Sequence, residues 1–444
     1  MKKRALVLSV IALAALFFAA RGLYRVFSRP QDLFATPVPQ RTARPSAAPT
    51  PSPTLSPEEA LLREADADFM KDRVNILLLG WDESPERNDE DSETYRGGKN
   101  GFRSDVMMLL AVNFAENTAH LISIPRDTYS PLYNVKGRWK INAAFAKGGG
   151  RDGDGFTYAV KTVEMLFGVP VTHYIGVDME GLKHLVDALG GVDYDVDVRI
   201  TLNGRVLEKG PQHLDGQQVL DYCRARKGIS TDLGRNDRQQ RMLMTIFSEL
   251  QRANKLTAIP AIYTSCKDDV YTSLTSAQIA ALAAFALRLD PETDLARSTL
   301  AGEYVSNVYN ASYYVLINKK LEALVYEEFG VKIDRADKYD LSRVKRDKAA
   351  QEAEKAAEAA EDIASMLVLP ALGDGSSPLT GGAQEVAQRL RYCIHTLRYA
   401  IEVGASETEI VRLRRQLDRA VQEAARTFSV DGGELSAYYG VEFE

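Results

Sequence analysis

Short apolar runs that alternate with amphipathic segments constrain the fold of this chain more than any other feature. The run at 75–80, NILLLG, has four consecutive aliphatic residues and ends in glycine, as expected of a strand buried on both faces. Similar runs at 106–113 and 119–124 predict two further strands. Helical stretches follow these runs, so the pattern predicts an α/β domain whose sheet is covered by helices on both faces.

The spacing of apolar residues also predicts the elements that follow the third strand. Strands are predicted at 173–177 and 192–198, and helices at 140–147, 157–167, 179–189, 215–221 and 237–253. Functional sites in such folds collect at the carboxyl ends of strands. Asp82 and the turn Pro125-Arg126-Asp127 come after predicted strands, so this edge of the sheet is the candidate site.

Five arginines lie within nineteen residues, in a chain whose net charge is −6. Guanidinium groups suit phosphate oxygens, and a helix N-terminus adds backbone N–H donors for the same anion. The alternative is a solvated surface with ion pairs, because Asp232 and Asp237 are interleaved with the arginines. The five are Arg224, Arg226, Arg235, Arg238 and Arg241.

The spacing of these arginines predicts two different local structures. Arg224 and Arg226 alternate as side chains on one face of a strand do. Arg235, Arg238 and Gln239 are three and four residues apart, a spacing that gathers side chains on one side of a helix start. A strand and a helix would therefore present cations to one anion.

An aspartate flanks each of the three predicted strands in the sequence. Asp82 follows the first strand, Asp105 stands at the head of the second, and Arg126 and Asp127 follow the third. If these strands are neighbours in one sheet, the charged groups lie close together. Two carboxylates without Cys or His ligands suit Mg²⁺, and a diphosphate held between metal and arginines is the arrangement that phosphoryl-group chemistry needs. Each aspartate taken singly is as readily a turn or cap residue.

Composition excludes several classes of function. The acidic net charge argues against a general nucleic-acid binder. Cys223, Cys266 and Cys393 lack metal-ligand or CxxC spacing, which favours buried thiols over a disulfide. The five histidines are scattered, so zinc chemistry has little support.

The N-terminal region predicts a tether to the membrane. Three basic residues precede an apolar run at 5–20, as in a signal peptide or a signal anchor, and Phe18 makes a poor cleavage site, so we expect a retained anchor at 1–27 in preference to a cleaved signal peptide. The positive-inside rule places its basic tip in the cytoplasm and the rest of the chain outside. Residues 28–57 are rich in Pro, Ala, Ser and Thr and predict a disordered spacer, followed by a short helix at 58–70.

Beyond residue 334 the composition changes to Ala, Glu, Lys and Arg. Helices are predicted at 349–364, at 386–401 and after a capping box formed by Ser406 and Glu409. We expect a helical extension at 334–444 that packs on itself or on the main domain, in preference to a dedicated partner surface.

Seven motifs in order, over about residues 74–316, resemble the LytR-CpsA-Psr family of cell-wall glycopolymer transferases. They are NILLLGWD, RSDVMMLLAVN, LISIPRD, KINAAFAKGG, HYIGVDMEGLKHLVDALGGVDYDV, HLDGQQVLDYCRAR and DLGRNDRQQRML. The resemblance implies a three-layer α-β-α catalytic domain at 58–333 with a central mixed sheet. It also implies transfer of a glycan from a polyprenyl-pyrophosphate carrier to a peptidoglycan hydroxyl.

The resemblance assigns roles to individual residues. Asp82 and Asp105 would hold Mg²⁺, with Mn²⁺ as an alternative, and Asp232 would orient the arginines. The catalytic group would be Asp82, Asp105, Arg126 and Asp127, with Asp105 or Asp127 as the base. The pyrophosphate would be bound by Arg103, Arg126, Arg224, Arg226, Arg235, Arg238 and Gln239. The lipid tail would lie along Met242, Leu243, Ile246 and Phe247, although side chains at this helical spacing are more often core residues.

Other functions use the same residues. One alternative is a non-catalytic protein that binds lipid-linked glycan or regulates wall assembly. The other is a hydrolase that cleaves the lipid pyrophosphate, with water in place of the peptidoglycan hydroxyl. The expected location is the cell membrane, with a single span and an extracellular catalytic domain. The acidic segment 83–100, Asp237 and the helical extension depart from the family pattern, and the identity of the glycopolymer and the oligomeric state stay open.

Overall fold

The structure is a computed structural model that describes residues 65–81, 102–202, 204–225, 232–252, 270–372 and 381–427. The chain divides into two compact units, one of residues 1–301 with 323–333 and the other of residues 302–322 with 334–444. Within the described ranges, no helix combines the length and the hydrophobicity of a membrane span. The predicted anchor at 1–27, the spacer at 28–57 and the acidic segment 83–100 lie outside those ranges.

In the described part of the first unit, six strands form the central sheet. They are β1 (Arg73–Trp81), β2 (Ser104–Asn113), β3 (Thr118–Ile124), β6 (His173–Val177), β11 (Val270–Thr272) and β12 (Leu295–Thr299). Their order is β11-β6-β1-β2-β3-β12. The pairs β1–β6 and β3–β12 are parallel and the others antiparallel. The predicted α/β class and central mixed sheet are therefore confirmed.

Shorter strands and several helices also belong to this unit where the structure describes it. The strands are β4 (Tyr129–Leu132), β5 (Val135–Lys140), β7 (Val192–Val196), β8 (Ile200–Leu202), β9 (Arg205–Leu207) and β10 (Gly210–Leu214). The helices are α1 (Ala143–Lys147), α2 (Gly155–Phe167), α3 (Met179–Ala188), α4 (Gly216–Arg224), α5 (Asp232–Arg252) and α6 (Ser276–Arg288). A further helix, α7 (Asn318–Phe329), has residues in both units. Single 3₁₀ turns lie at Phe69–Lys71, Gly150–Asp152 and Asp337–Tyr339.

Both faces of the sheet are buried, which explains the continuous apolar run in β1. Ile76 and Leu78 belong to the core that also contains side chains of α3, α5 and α6. Trp81 contacts the rings of Phe145 in α1 and Phe156 in α2, with ring centroids 5.2 and 5.9 Å away. Helices thus cover the sheet on two sides, and alternate residues of one strand serve the two cores.

Two predicted elements differ from the structure. The helix predicted at 140–147 is wrong in its first residues, because Lys140 ends β5 and the helix is only Ala143–Lys147. Strands β4 and β5 form a hairpin in which Leu132 pairs with Val135, and Asn134 takes the positive φ that the tight turn needs. In the described part of the helix predicted at 58–70, the structure has the 3₁₀ turn Phe69–Lys71.

In its described residues, the second unit contains three long helices and a hairpin. They are α8 (Leu341–Leu372), α9 (Gly381–Glu402), α10 (Glu407–Thr427), β13 (Gly302–Val308) and β14 (Ala311–Leu316). Ala357, Leu397 and Leu417, one from each helix, are fully buried in one apolar cluster. This unit therefore has a hydrophobic core of its own.

Candidate anion-binding site

The edge of the sheet where β1 ends also holds the start of β2 and the end of β3. Trp81, the last residue of β1, pairs with Ser104, and Met107 pairs with Ile124, the last residue of β3. Strand β6 ends at the same edge, because Gly80 pairs with Val177. Residues that follow β1 and β3, or that begin β2, therefore collect at one place, as the sequence predicts.

Asp105 and Arg126 form a buried ion pair at this edge. The Arg126 Nη1 donates to Asp105 Oδ1 over 2.9 Å, and each side chain is only 9% exposed. The prediction that neighbouring strands bring a carboxylate and an arginine together is confirmed for this pair. Since a carboxylate has about four acceptor positions, one bond from Arg126 leaves Asp105 able to bind a metal ion or a donor group.

Asp127 is paired with a cation that the sequence did not single out. The Lys140 Nζ lies 3.0 Å from Asp127 Oδ1. The β4–β5 hairpin makes this contact, because Lys140 is the last residue of β5 and Tyr129, the first residue of β4, follows Asp127 closely. Asp127 thus has a cationic partner, as Asp105 has in Arg126.

The predicted strand at Arg224 is wrong, because Arg224 is the last residue of helix α4. Asp215 and Gln218 form a complete capping box at the start of this helix, and Ala225 N donates to Asp221 O at its end. The hydrogen bonds therefore extend the helix through Arg224, which is half-buried. Arg226 lies outside the described residues.

The helix predicted around Arg235, Arg238 and Gln239 is confirmed as the first turns of α5. Arg235 and Arg238 are both buried, which is rare for arginine in the absence of compensating groups. Asp232 is the first residue of this helix. Arg103 immediately precedes β2 and is exposed.

Arg238 is fixed by three kinds of contact. Its Nη2 donates to Asp197 Oδ1 over 3.1 Å and its Nη1 donates to the Ala225 carbonyl over 3.3 Å. Its guanidinium carbon lies 4.7 Å from the centroid of the Tyr222 ring, within the range of a cation–π interaction. Burial raises the pKa of the Tyr222 hydroxyl, and its hydrogen bond with Tyr194 raises it further. The tyrosine therefore stays neutral beneath the arginine.

Asp197 and Asp237 organise the arginines at the exposed side of α5. Asp197 also accepts from Arg241 Nη2 over 3.0 Å, while Asp237 accepts from Arg241 Nε over 3.0 Å and from Arg297 of β12 over 2.6 Å. Burial alone would raise the pKa of Asp197, but the hydrogen bond from Arg241 and the charge of Arg238 outweigh it and lower the pKa. The sequence alternative, a solvated surface with ion pairs, is therefore correct for Arg241. Asp237 is paired with Arg297 on strand β12.

Two adjacent glutamines in α5 are equally buried but differ in their hydrogen bonds. Gln239 is 0% exposed and Gln240 is 2% exposed. Gln240 Nε2 donates to Ser298 O over 2.7 Å and lies 3.5 Å from Leu121 O, which fixes the helix to β12 and β3. Among the residues that the structure describes, neither amide atom of Gln239 has a hydrogen-bond partner, and the Nε of Arg238 also lacks one. Buried polar groups are normally paired, so these atoms mark a place for a polar ligand.

Helix α5 runs from the site towards the opposite edge of the sheet. Gln240 contacts Leu121 midway along β3, and Phe247, two turns later, lines a pocket together with Ala119 near the beginning of β3. Arg235 and Arg238 precede Gln240 and therefore lie nearer the edge where β3 ends and Arg126 follows. Arg126 and the two buried arginines of α5 thus lie towards the same end of the sheet.

The pocket below these arginines is narrow and apolar. Its volume is about 60 Å³, and it is lined by side chains of α5, α6 and the sheet, including Leu243, Phe247 and Leu282. Met242 and Ile246, also predicted for the lipid tail, are buried in the main core and do not line this pocket.

Within the described residues, the structure has no cluster of three His, Cys, Asp or Glu side chains that could hold a metal ion. Asp105 supplies one buried carboxylate of the type that Mg²⁺ prefers. Asp82, the other predicted ligand, is next to Trp81 in sequence and lies outside the described residues. The Mg²⁺ site therefore stays a prediction.

The amino-acid sequence matches a known protein family and several named relatives. A model of the LytR_cpsA_psr family matches residues 47–329. A relative from Bacillus mycoides, described as the polyisoprenyl-teichoic acid–peptidoglycan teichoic acid transferase TagU, is 37% identical over 207 residues, which is 46% of this chain and 62% of the relative. A TagU relative from Oceanobacillus iheyensis is 38% identical, and the match covers 60% of its length. The matched segment thus spans less than two thirds of these relatives.

Solved structures also resemble the chain. The crystal structure of Bacillus subtilis TagV has 26% sequence identity and a TM-score of 0.49, covering 59% of this chain and 99% of TagV. A structure described as TagT bound to LI-WTA has 26% identity and a TM-score of 0.46, covering 60% of this chain and 94% of that protein.

Proposed function

Because the chain belongs to the LytR_cpsA_psr family, we propose that it transfers a glycopolymer from a polyprenyl-pyrophosphate carrier to a peptidoglycan hydroxyl. In this reaction the acceptor oxygen attacks the phosphorus that carries the glycan. A phosphodiester forms, the bridging P–O bond of the pyrophosphate breaks, and polyprenyl phosphate leaves with the bridging oxygen. The acceptor hydroxyl loses its proton. Two relatives that are named as teichoic acid transferases to peptidoglycan support this reaction class.

The observation that carries the proposal is the unpartnered amide of Gln239 beside two buried arginines of the same helix. Gln239 is fully buried, and Arg235 lies about one helical turn before it and Arg238 one residue before it in α5. A buried amide group without a partner costs about 1–3 kcal/mol. A pyrophosphate oxygen would accept a hydrogen bond from the amide Nε2 and would lie beside two positive charges. Such binding would explain why the Nε2 of Gln239 has no partner among the described residues.

Arg238 is oriented before any ligand arrives. Asp197, the Ala225 carbonyl and the Tyr222 ring fix its guanidinium group, so little side-chain freedom remains to be lost on binding. Its Nε has no hydrogen-bond partner among the described residues. A fixed donor that faces developing negative charge stabilises a transition state without reorganisation. Arg238 would act in this way on the phosphate oxygens.

Asp105 and Asp82 would hold Mg²⁺ on the other side of the pyrophosphate. The buried carboxylate of Asp105 is a hard oxygen ligand, which fits this ion. When bound, the ion would neutralise phosphate charge. Arg126 pairs with Asp105 and would position this carboxylate. Either Asp105 or Asp127 would serve as the base, since each carboxylate is paired with one cation, Arg126 and Lys140 respectively.

The lipid tail would enter the apolar pocket beside α5. Leu243 and Phe247 line the pocket on the helix side, next to the buried arginines in sequence. A volume of about 60 Å³ is too small for an isoprenoid chain, so the helices α5 and α6 would have to separate from the sheet when the lipid binds. The other predicted residues, Met242 and Ile246, would support this wall from the core.

A membrane anchor at 1–27 and a spacer at 28–57 would place the domain beside its lipid substrate outside the cell. Tethering to the same membrane converts the encounter into a local one with a high effective concentration. We accordingly propose a single-pass protein of the cell membrane with an extracellular catalytic domain.

A transfer assay tests this function. The full-length chain in lipid vesicles is incubated with a polyprenyl-pyrophosphate oligosaccharide, Mg²⁺ and peptidoglycan oligomers. A covalent glycan–peptidoglycan product supports transfer, whereas free phosphorylated glycan alone shows a hydrolase, and bound but unaltered donor shows a binder. Arg238→Gln should remove the product. Arg389→Gln, which removes an arginine paired with Glu423 in the second unit, is the matched control and should not.

A further inference from the structure

Asn142 is tied to both sides of the Asp105–Arg126 pair. Its backbone N donates to the Arg126 carbonyl over 3.2 Å, and its carbonyl accepts from Ser104 Oγ over 3.4 Å. Ser104 is the residue before Asp105 in β2. Asn142 therefore lies at the edge of the sheet where the candidate site is, although neither the sequence motifs nor the proposed reaction gives it a role.

The side chain of Asn142 is buried with an unpartnered oxygen. The residue is 5% exposed, and among the described residues its Oδ1 has no hydrogen-bond partner. Asn142 precedes helix α1, but its side chain makes no capping hydrogen bond with that helix. Local structure therefore does not explain why a polar side chain is buried at this position.

The chemistry of an amide oxygen limits what can bind there. An amide oxygen accepts hydrogen bonds and cannot donate them, so phosphate oxygens cannot satisfy it. Two nearby cations, Arg126 and Lys140, are already bonded to Asp105 and Asp127. A neutral N–H or O–H donor is the remaining complement, and a glycan substrate carries many hydroxyl groups.

We infer that Asn142 is a substrate-binding residue whose side-chain oxygen accepts a hydrogen bond from a sugar hydroxyl at the candidate site. This inference rests on the proposed function, because that function supplies the sugars. The hydroxyl belongs to the peptidoglycan acceptor or to the first sugar of the donor. Asn142 would orient the sugar beside the Asp105–Arg126 pair, and its neutral amide would not take up the proton.

Binding of three probes tests the inference. Calorimetry on the full-length protein in detergent measures Kd for inorganic pyrophosphate, for a short-chain polyprenyl-pyrophosphate disaccharide and for a peptidoglycan tetrasaccharide. Asn142→Ala should weaken one of the two sugar ligands by roughly tenfold, the effect of one neutral hydrogen bond, and leave pyrophosphate binding unchanged. The sugar ligand that weakens identifies the source of the hydroxyl.

Asn142→Asp is the second variant, and it should show the opposite pattern. A carboxylate keeps the acceptor oxygen, so sugar binding should stay closer to that of the wild type. Its added negative charge should weaken pyrophosphate binding. This variant also keeps the size of the side chain if Asn142→Ala fails to fold.

Asn75→Ala is the matched control. Asn75 is another buried amide, 8% exposed, and its Oδ1 also lacks a partner among the described residues. Its Nδ2 donates to Pro170 O over 2.8 Å, and it lies near the start of β1, at the opposite end of the sheet. Its loss should lower the melting temperature and leave all three Kd values unchanged.

Three outcomes would overturn the inference. Asn142→Ala could bind all three probes as the wild type does, or it could lose all three equally, which would show a structural role. The wild type could also bind neither sugar ligand. If the wild type fails to bind pyrophosphate, the proposed function fails instead, so the two failures are distinguishable.

Discussion

Replacement of Gln239 by methionine should stabilise the protein while it weakens ligand binding. Methionine is unbranched, similar in size to glutamine and apolar. Gln239 is fully buried, and its two amide atoms lack partners among the described residues. A buried unsatisfied polar group costs about 1–3 kcal/mol, so its removal should increase the free energy of unfolding by about this amount. The melting temperature would rise by roughly 2–4 °C for each kcal/mol.

The same replacement should damage the anion site. A hydrogen bond to a charged group contributes about 1.5–3 kcal/mol, so Gln239→Met should weaken pyrophosphate binding by roughly 10- to 150-fold. Urea unfolding measures the first effect and calorimetry with pyrophosphate measures the second. A protein that becomes more stable as it loses its ligand would show that the buried amide serves binding.

Gln240→Met is the matched control on the adjacent residue. Gln240 is buried to the same degree, but its amide already donates to Ser298 O and lies near Leu121 O. Its loss should decrease the free energy of unfolding by about 1–3 kcal/mol and leave pyrophosphate binding unchanged. If Gln239→Met destabilises the protein as much as Gln240→Met does, the Gln239 amide is satisfied in the free protein and the reasoning is refuted.

Three further variants test other parts of the site. Arg126→Met leaves Asp105 as an uncompensated buried charge and should decrease the free energy of unfolding by about 3–5 kcal/mol in urea; no change would show that water already screens the pair. Asp197→Asn should be less stable than the wild type at pH 7, and the difference should shrink as the pH falls below about 4. The reason is that a lowered pKa contributes stability above the unfolded value that is lost as pH falls through the folded one; a constant difference in urea midpoint at all pH values would contradict this. Leu243→Trp should fill the narrow pocket and weaken binding of a long polyprenyl pyrophosphate but not of inorganic pyrophosphate, and equal weakening of both would exclude the pocket as the lipid site.

The central strands could be predicted because burial on both faces makes the middle of each strand largely apolar. The predicted strands at 75–80, 106–113 and 119–124 lie within the observed Arg73–Trp81, Ser104–Asn113 and Thr118–Ile124. The hairpin of β4 and β5 could not be predicted in this way, because most of VKGRWK is exposed and carries no apolar pattern. Asn134 at the turn is the local signal that could have identified it.

The charged residues of the site could be predicted only in part. The sequence identified Arg126 and Asp105, because each is adjacent to an apolar run. It gave no reason to choose Asp197, which fixes Arg238 from a distant segment, or Lys140, which pairs with Asp127. Such partners are set by the packing of α5 and of the hairpin, and the spacing of residues along the chain does not encode them. The alternation of Arg224 and Arg226 suggests a strand, but the capping box of Asp215 and Gln218 begins a helix that extends through Arg224.

The pair formed by Asp237 and Arg297 also has a consequence for solubility. The six-stranded sheet ends in two short strands, β11 with three residues and β12 with five. Long apolar edges invite pairing with other chains, and short charged edges resist it. Arg297 lies on the edge strand β12 and is fixed there by Asp237, which places a charge where a second molecule would have to add its own strand. A salt bridge beside the arginine site would thus also limit self-association of neighbouring copies crowded on one surface.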